Sequence, residues 1–378
     1  MNRRIVEVND VAQLARYASA WDDLHARTPD ATFFQTWEWL AVSWKHFPRR
    51  QKLRLIVVLE EDVPVGFVPF CVREQTYRVG NLRVLSYPLE DWGPFFGPVG
   101  VDHVACFRLA IEHVLQSGCD WDLIDLRYLR EQCESFDEFR SVLSNRRQVF
   151  YDRPRMVAPV VELHGDWDAY VAAKSKNWRR TMRRERSQID KLGEVRLESY
   201  RTDPAAGQID TRPDLWSDCL QAAQRSWQAT SSLGAAFCSP AVLPVLEELH
   251  QVACRRGMID MNVLYLNDSP VAFLHSYYCR GEVYALRSGY DASCPATGLG
   301  TVLLYEVVRR SFEQGDHRIN LGPGTQDYKM RFATDAWRAI NFTHYSTWSL
   351  RSQTLRLRTA VDSYLPGFDA RCQKQLVT

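Results

Sequence analysis

The sequence lacks long apolar runs and has no excess of charge of one sign. No stretch approaches the ~18 uninterrupted apolar residues of a membrane-spanning helix, and no apolar segment follows Arg3 and Arg4, as a secretory signal would require. Lys and Arg total 47 against 46 Asp and Glu, and the net charge of +1 argues against a protein whose whole surface binds polyanions. We therefore expect a cytoplasmic protein that neither inserts into a membrane nor binds DNA.

Motifs of several catalytic classes are also missing. The ten cysteines are scattered without a CxxC pair, which predicts reduced thiols rather than a zinc site or a disulfide framework. The nine histidines form no HExxH or HxH pattern, so we expect no catalytic metal. There is no GxSxG elbow, and Cys294 has no base beside it in the sequence, so nothing supports a covalent intermediate.

The length and composition predict a packed protein of two domains. A chain of 378 residues corresponds to two domains at roughly 100–200 residues each. Apolar residues make up 46% and charged residues 25%, which is typical of globular chains. Two segments also follow the same order of helix-like and strand-like stretches. We predict an N-terminal domain over residues 1–155 and a C-terminal domain over residues 156–378.

The order of these stretches predicts the α+β class. The first segment contains Val11–His25, Phe33–Phe47, Leu53–Leu59, Val63–Cys71, Val84–Tyr87, His103–Gln116 and Trp121–Leu126. In the second segment, a helix with Ser239 as N-cap and Pro240 at its first position runs to Arg256, before Gly257. The strands Ile259–Leu266, Val271–Cys279 and Glu282–Gly289, a helix from Gly298 to about Glu313, and the short strand Ile319–Leu321 follow.

The strongest candidate site is Gly298-Leu-Gly300, which follows the third of these strands and opens a helix. The first amides of a helix have no intrahelical acceptor and lie at the positive end of the helix dipole. Such an end binds a diphosphate without side-chain charge, and glycine lets the phosphates approach the backbone closely. The motif matches neither the dinucleotide fingerprint nor the P-loop. It predicts a phosphate-binding corner, with a plain structural turn as the alternative.

Residues 170–192 combine an apolar stripe with many cations. Trp178, Met182, Ile189 and Leu192 follow one face at helical spacing. Seven basic residues crowd the rest of the segment: Lys174, Lys176, Arg179, Arg180, Arg183, Arg184 and Arg186. This pattern indicates either the solvated face of a linker helix or a surface for a nucleotide phosphate, the acidic helix of a carrier protein or RNA.

The second segment resembles the GNAT acyltransferases. The chain as a whole resembles their CelD/BcsL-type branch, which shares a double-domain layout with the Fem peptidoglycan aminoacyl ligases. The motifs behind this resemblance are Phe33-Phe-Gln-Thr-Trp-Glu-Trp39, Ser226-Trp227-Gln228, Ser288-Gly-Tyr-Asp291, Leu321-Gly-Pro-Gly324 and Asp327-Tyr-Lys-Met-Arg-Phe332. The resemblance implies two tandem GNAT-like domains, each a mixed, mainly antiparallel sheet flanked by helices.

The resemblance further implies acyl-CoA or acyl-phosphopantetheine as a cosubstrate, with no permanently bound cofactor. The pantetheine arm would lie beside the strand Glu282–Gly289 like an added strand. The residues expected to hold the donor are Leu286, Arg287, Ser288, Gly298, Leu299, Gly300, Thr301 and Lys329. Pro295 departs from the family, which has Gln or Arg at this position. No glycine-led helix follows the meander of the first segment, so we expect a single active site in the C-terminal domain.

Acyl transfer to an amine requires a base for the ammonium proton and an acid for the leaving thiolate. His275 and Asp291, the latter beside Tyr290, are alternative bases; the structural alternatives are a packed strand histidine and a turn aspartate. The resemblance places Tyr328 near the thioester sulfur, where its phenol would protonate the thiolate. The candidates for the acceptor pocket are Trp227, Gln228 and Glu38.

Three functions are compatible with these patterns. The leading hypothesis is an N-acyltransferase that moves an acyl group from CoA, or from a carrier protein, to an amine of a small molecule or sugar by direct attack. The alternatives are a Fem-like aminoacyl transferase that uses aminoacyl-tRNA, and a catalytically inactive binding module in polysaccharide or natural-product assembly. Residues 174–186 are a possible docking site for an acyl carrier protein. We expect a monomer or a homodimer.

Overall fold

The computed structural model describes residues 3–47, 51–88, 97–118, 120–144, 149–207, 209–226, 229 and 237–363. The chain divides into two compact units, one formed by Met1–Met156 with Arg338–Thr378 and the other by Val157–Trp337. Each unit contains a mixed, mainly antiparallel sheet with helices packed on it, which confirms the predicted fold class. Within the described residues, no helix is both long enough and apolar enough to cross a bilayer.

The elements are numbered in chain order. The strands are β1 (Arg3–Val8), β2 (Gln51–Glu60), β3 (Val63–Tyr77), β4 (Gly80–Ser86), β5 (Val99–Gly100), β6 (Leu123–Arg130), β7 (Tyr151–Glu162), β8 (Val195–Tyr200), β9 (Ile259–Leu266), β10 (Ser269–Cys279), β11 (Glu282–Tyr290), β12 (Arg318–Asn320) and β13 (Asp335–Tyr345). The helices are α1 (Ala18–Arg27), α2 (Trp37–His46), α3 (His103–Gln116), α4 (Phe136–Leu143), α5 (Trp167–Ala173), α6 (Lys176–Asp190), α7 (Pro213–Gln224), α8 (Leu243–Arg255), α9 (Leu299–Gln314), α10 (Asp327–Phe332) and α11 (Leu350–Ser363).

In the first unit the strands lie in the order β1-β2-β3-β4-β6-β13. Neighbours are antiparallel except β4 and β6, which are parallel, and β5 pairs with β3. The middle of β2, residues 53–59, is buried without interruption, as its apolar sequence predicts for a central strand. Helix α3 packs against β2 and β3.

In the second unit the order is β7-β12-β11-β10-β9-β8. All neighbours are antiparallel except β11 and β12, which are parallel. Helix α9 packs on β9, β10 and β11, and α6 packs on α9. Leu299, Val302, Leu303 and Val307 of α9 are buried at helical spacing, so this helix forms one side of the core.

Several predicted boundaries differ from the observed ones. The helix predicted from Ser239 begins instead at Leu243, because residues 239–242 form turns and Pro244 occupies its first turn. The stretch Val11–His25 is a 3-10 helix over Val11–Tyr17 followed by α1. The cationic segment is two helices, since the chain is extended at Lys174 and the Ser175 side chain then caps α6.

The end of the chain also departs from the predicted domain limits. The predicted boundary at residues 155–156 lies beside the boundary between the units. The residues from Arg338 onward, however, group with the first unit, where β13 pairs with β6 from Ala339 to Tyr345. The second unit therefore ends at Trp337 and not at residue 378.

Candidate active site

A pocket of about 810 Å³ lies in the second unit between the end of β11 and the start of α9. β11 and β12 pair over only three residues, the last being Tyr284 with Asn320. Beyond this point Ala285 and residues 288–290 line one wall of the pocket, while Leu321 lies on another. Two strands that part in this way leave an edge beside which an extended ligand can pair like an added strand.

The N-terminus of α9 opens into this pocket. Gly298 has a φ of +80° and ends the preceding loop, and no side chain caps the helix. The first backbone bond of the helix runs from the Val302 N–H to the Gly298 carbonyl. In the part of the chain that the structure describes, the N–H groups of residues 299–301 therefore have no acceptor. These are the amides that the glycine motif predicted at a phosphate-binding corner.

Glu185 of α6 places a carboxylate at the same corner. Its Oε2 atom is buried and has no hydrogen-bond partner among the described residues. A Cβ atom on Gly298 would lie 2.6 Å from this oxygen, so any larger residue there would have to displace the Glu185 side chain. The positive end of the α9 dipole stabilises a carboxylate at this position. The corner thus combines free amides with one fixed acidic group.

Tyr328 and Ser288 both line the pocket, and the Ser288 side chain is close enough to affect the pKa of the Tyr328 phenol. Tyr328 belongs to α10 and is 36% exposed, and Ser288 belongs to β11. Burial raises the pKa of the Tyr328 phenol, and the Ser288 side chain partly opposes this rise. The phenol therefore keeps its proton at neutral pH and is available as a proton donor.

Lys329 lines the pocket beside Tyr328. Its Nζ atom donates to the carbonyl of Pro323 at 2.9 Å. Burial lowers the pKa of this amine to about 8. The side chain is thus a cation at neutral pH, which suits a group that pairs with a phosphate. It loses its proton in mildly alkaline solution.

Asp291 and Tyr290 both line the pocket, but in different ways. The Asp291 carboxylate is buried and accepts from the Ser293 N–H at 2.8 Å, from the Ser293 hydroxyl, and from Arg225 Nη1 at 3.4 Å. This is the arrangement of a turn aspartate that caps its own loop. Tyr290 is half exposed, and its ring lies 3.5 Å from where a Cβ on Gly300 would be.

His275 is absent from the walls of the pocket, contrary to the role considered for it from the sequence. It is fully buried, and its ring packs against Trp216, Phe237 and His250. Burial holds the pKa of His275 well below its ordinary value, and the charges of His250 and Arg287 act in the same direction. The surroundings of His275 are therefore those of a histidine packed in the core.

The remaining predicted residues fall into three groups. Leu286 and Arg287 belong to β11 but are not among the residues that line the pocket. Glu38 lies on α2 of the first unit and does not line it either. Trp227 and Gln228 lie outside the described residues. Gly298, Leu299, Gly300, Thr301, Ser288, Tyr290, Asp291, Tyr328 and Lys329 are brought together around the pocket.

Glu185 and the apolar walls were not among the site residues predicted from the sequence. Phe273 and Leu274 of β10 and Leu303 and Leu304 of α9 contribute apolar surface to the pocket. Their positions follow from core periodicity alone, so the sequence held no signal that separates them from ordinary core residues. Glu185 had such a signal, because it is the only acidic residue between positions 174 and 186.

The cations of the basic segment divide into two sets. Lys174 donates to the carbonyls of Phe332 and Ala333, Arg179 donates to the carbonyls of Val171, Ala172 and Lys174, and Arg186 pairs with Asp190 and Glu306. These three are structural. The other four, Lys176, Arg180, Arg183 and Arg184, are exposed. No ion pair involves any of these four within the described ranges, and they share the face of α6 opposite its buried residues.

Comparison with known proteins agrees with this geometry. Residues 176–330 match the family model described as acetyltransferase (GNAT) domain. No curated protein matches the chain in sequence. Among solved structures, FemX is similar at 10% identity with a TM-score of 0.55, covering 94% of this chain and 98% of that one.

Two further solved structures have a similar fold. One is the C-terminal domain of a lysylphosphatidylglycerol synthetase described as putative, from Agrobacterium fabrum, with 12% identity, a TM-score of 0.52, and coverage of 93% of this chain and 96% of that one. The other is L-PGS from Bacillus licheniformis, with 15% identity, a TM-score of 0.50, and coverage of 80% and 87%. Residues 176–330, which contain the pocket, thus match the model of the GNAT acetyltransferase domain in sequence, and the fold of the chain is similar to that of FemX.

Proposed function

We propose that the second unit is an N-acyltransferase of the CelD/BcsL type that works in the cytoplasm. It moves an acyl group from a pantetheine thioester, carried by CoA or by a carrier protein, to an amine of a small molecule or sugar. The observation that supports this proposal is a pocket that joins the free amides of residues 299–301 to the part of β11 beyond its pairing with β12 and to Tyr328. The amides suit the phosphate end of the donor, and the edge suits the amides of its pantetheine arm.

In the proposed reaction, the neutral amine attacks the carbonyl carbon of the thioester and forms the new C–N bond. Backbone N–H groups along the edge of β11 stabilise the tetrahedral oxyanion. The C–S bond then breaks, and the Tyr328 phenol gives its proton to the leaving thiolate. The proton that the amine loses restores the phenol, directly or through solvent, so the products are an amide and a free thiol.

Three pocket residues are assigned supporting roles in this proposal. Lys329 pairs with the phosphate of the donor while it carries its proton. Asp291 holds the loop that leads into α9, and Tyr290 lies beside Gly300 at the phosphate corner. His275 takes no part, because it is packed in the core away from the pocket walls. The apolar walls around Phe273 and Leu303 receive the acyl group.

Titration calorimetry with pantetheine and CoA, together with thiol release from acyl-CoAs, tests this function. We expect saturable binding of pantetheine to the full chain. Gly300→Leu places a side chain against Tyr290 at the phosphate corner and should weaken the binding of CoA at least tenfold while thermal unfolding stays cooperative. If neither pantetheine nor any acyl-CoA binds the unaltered protein, the proposal is wrong.

The exposed cations of α6 favour a second candidate, an aminoacyl transferase that takes its acyl group from aminoacyl-tRNA. This function predicts RNA binding that weakens steeply with salt, because each phosphate contact releases counterions. Changing Lys176, Arg180, Arg183 and Arg184 together to Ala should flatten the salt dependence. Arg179 stays unchanged in this variant because it holds three backbone carbonyls.

A further inference from the structure

The exposed cations of α6 lie on a helix that also contributes a residue to the lining of the pocket. Glu185 lines the pocket, and Gln188, one turn further along, accepts a hydrogen bond from the Thr297 hydroxyl at 3.2 Å, next to the start of α9. The opposite face carries what we call the basic row: Lys176, Arg180, Arg183 and Arg184. A partner held on the basic row therefore lies on the helix that leads directly to the phosphate corner.

The length and limits of the basic row favour one helix as its partner. Eight residues separate its ends, which corresponds to about 12 Å along the axis. Beyond Arg184, Arg186 is neutralised by Asp190 and Glu306, and the next exposed cation on this face is Lys191 at the end of the helix. A short row of four cations matches the acidic helix of a small protein by charge complementarity. An RNA backbone would call for a broader basic surface, whereas the chain as a whole has a net charge of only +1.

The phosphate corner also discriminates between donors. Glu185 fixes one carboxylate there, so every negative charge brought beside the free amides of residues 299–301 meets repulsion. Free CoA brings a diphosphate with two charges and a further phosphate on its ribose. The arm of a carrier protein brings a single phosphodiester charge. The corner thus favours the arm with less charge, while the basic row supplies attraction at a distance from Glu185.

We propose that the acyl donor is the phosphopantetheine arm of an acidic carrier protein, which docks through one of its helices on the basic row of α6. This inference rests on the proposed function, because it names the form in which the pantetheine thioester arrives. The carrier's arm enters the pocket past Glu185 and places its phosphodiester at the amides of residues 299–301. RNA is the competing ligand for the basic row, and the experiment below includes it as a probe.

The test measures binding of the full chain to five probes: an acidic bacterial acyl carrier protein in its holo form, the same protein in its apo form, pantetheine, CoA and bulk tRNA. The variant reverses three charges of the basic row, R180E/R183E/R184E. The control reverses three exposed arginines of the first unit that have no ion pair among the described residues, R78E/R108E/R358E. All seven side chains of the row and the control are exposed, so both variants should unfold at the temperature of the unaltered protein.

We expect the unaltered protein to bind the holo carrier at least tenfold more tightly than the apo carrier, pantetheine or CoA. The R180E/R183E/R184E variant should bind the holo carrier at least tenfold more weakly and keep its affinity for pantetheine. The control variant should change neither affinity. An unchanged affinity for the holo carrier, a preference for CoA, or a loss confined to tRNA overturns the proposal. If neither pantetheine, nor CoA, nor the holo carrier binds, the proposed function fails; if pantetheine or CoA binds without any preference for the carrier, only the carrier proposal fails.

Discussion

At the scale of single residues, Tyr328 gives the most direct test of chemistry. Tyr328→Phe removes the hydroxyl whose pKa Ser288 affects but keeps the ring. We expect turnover to fall about 10²–10⁴-fold, because the thiolate loses its proton donor. The free energy of unfolding should fall by only ~1 kcal/mol, because only one partly exposed hydroxyl is lost. Steady-state thiol release beside a thermal melt measures both, and full activity in this variant would remove Tyr328 from the mechanism.

The charge of Glu185 predicts a change in donor preference. Glu185→Gln has the same shape beside Gly298 but no negative charge. We expect the dissociation constant of CoA to fall severalfold, because repulsion of its diphosphate is relieved. The affinity for pantetheine, which has no phosphate, should stay the same and serves as the control. Calorimetry with both compounds decides, and equal changes for the two would show that the carboxylate does not act through charge.

Lys329 predicts a pH dependence of donor binding. A phosphate bound beside the amine stabilises its charged form, so binding is coupled to the proton that the free protein loses near its pKa of about 8. The dissociation constant of CoA should therefore rise as the pH increases from about 7 to about 9, by at most ~tenfold per pH unit above the pKa. Lys329→Arg, which stays charged, should abolish this rise. The same rise in both proteins would exclude Lys329 as the phosphate partner.

At the scale of elements, α9 has a glycine in the left-handed backbone conformation at each end. Gly298 and Gly315 have φ angles of +80° and +73°. A Cβ on Gly315 meets nothing within 4 Å, whereas a Cβ on Gly298 meets the Glu185 carboxylate at 2.6 Å. Gly315→Ala should therefore cost only the left-handed backbone energy, ~1–2 kcal/mol. Gly298→Ala should cost clearly more in the free energy of unfolding.

The excess cost at Gly298 comes from contact with one side chain, so it can be relieved. In a Glu185→Ala background, Gly298→Ala should cost about as much as Gly315→Ala. Chemical denaturation of the single and double variants measures the coupling between the two positions. A coupling near zero would contradict the close packing of α6 on the start of α9.

Element order was predictable because periodicity and turn residues agree along most of the second segment. Ile259–Leu266 matches β9, and the glycines at 298 and 315 mark both ends of α9. The start of α8 was mispredicted because Ser239-Pro240 has the chemistry of a cap but stands in a turn. The pocket was predicted only in part. The glycine motif indicated the free backbone amides at the start of α9. The separation of β11 from β12 depends on strand pairing that no local sequence pattern encodes.

At the scale of the whole molecule, the second unit is held together by a buried charge network. Asp260 of β9 is fully buried and pairs with Arg201 and Arg310, and Arg201 also pairs with Asp316. Burial alone would raise the pKa of Asp260, but the charges of Arg310 and Arg201 outweigh it and hold the pKa below its ordinary value. The network therefore links strands to α9 only while this carboxylate is ionised.

Asp260→Asn should lower the free energy of unfolding by ~3–5 kcal/mol, because it leaves buried guanidinium groups with too little negative charge. The stabilisation from Asp260 is present above the pKa of an unfolded Asp, ~3.9, and is lost as the pH falls through the lower pKa of the folded state. Denaturation curves at several acidic pH values measure this loss. Asp62→Asn is the control, since its exposed ion pair with Arg4 should contribute at most ~1 kcal/mol.

The position of β13 has a consequence for how the molecule is made. The ribosome completes all of Val157–Trp337 before it produces the residues that pair with β6. The first unit begins first but can finish last, and the β13 side of β6 stays unpaired while all of Val157–Trp337 has already been synthesised. A chain cut after Trp337 would keep every residue that lines the pocket but would leave the first unit without the strand that pairs with β6.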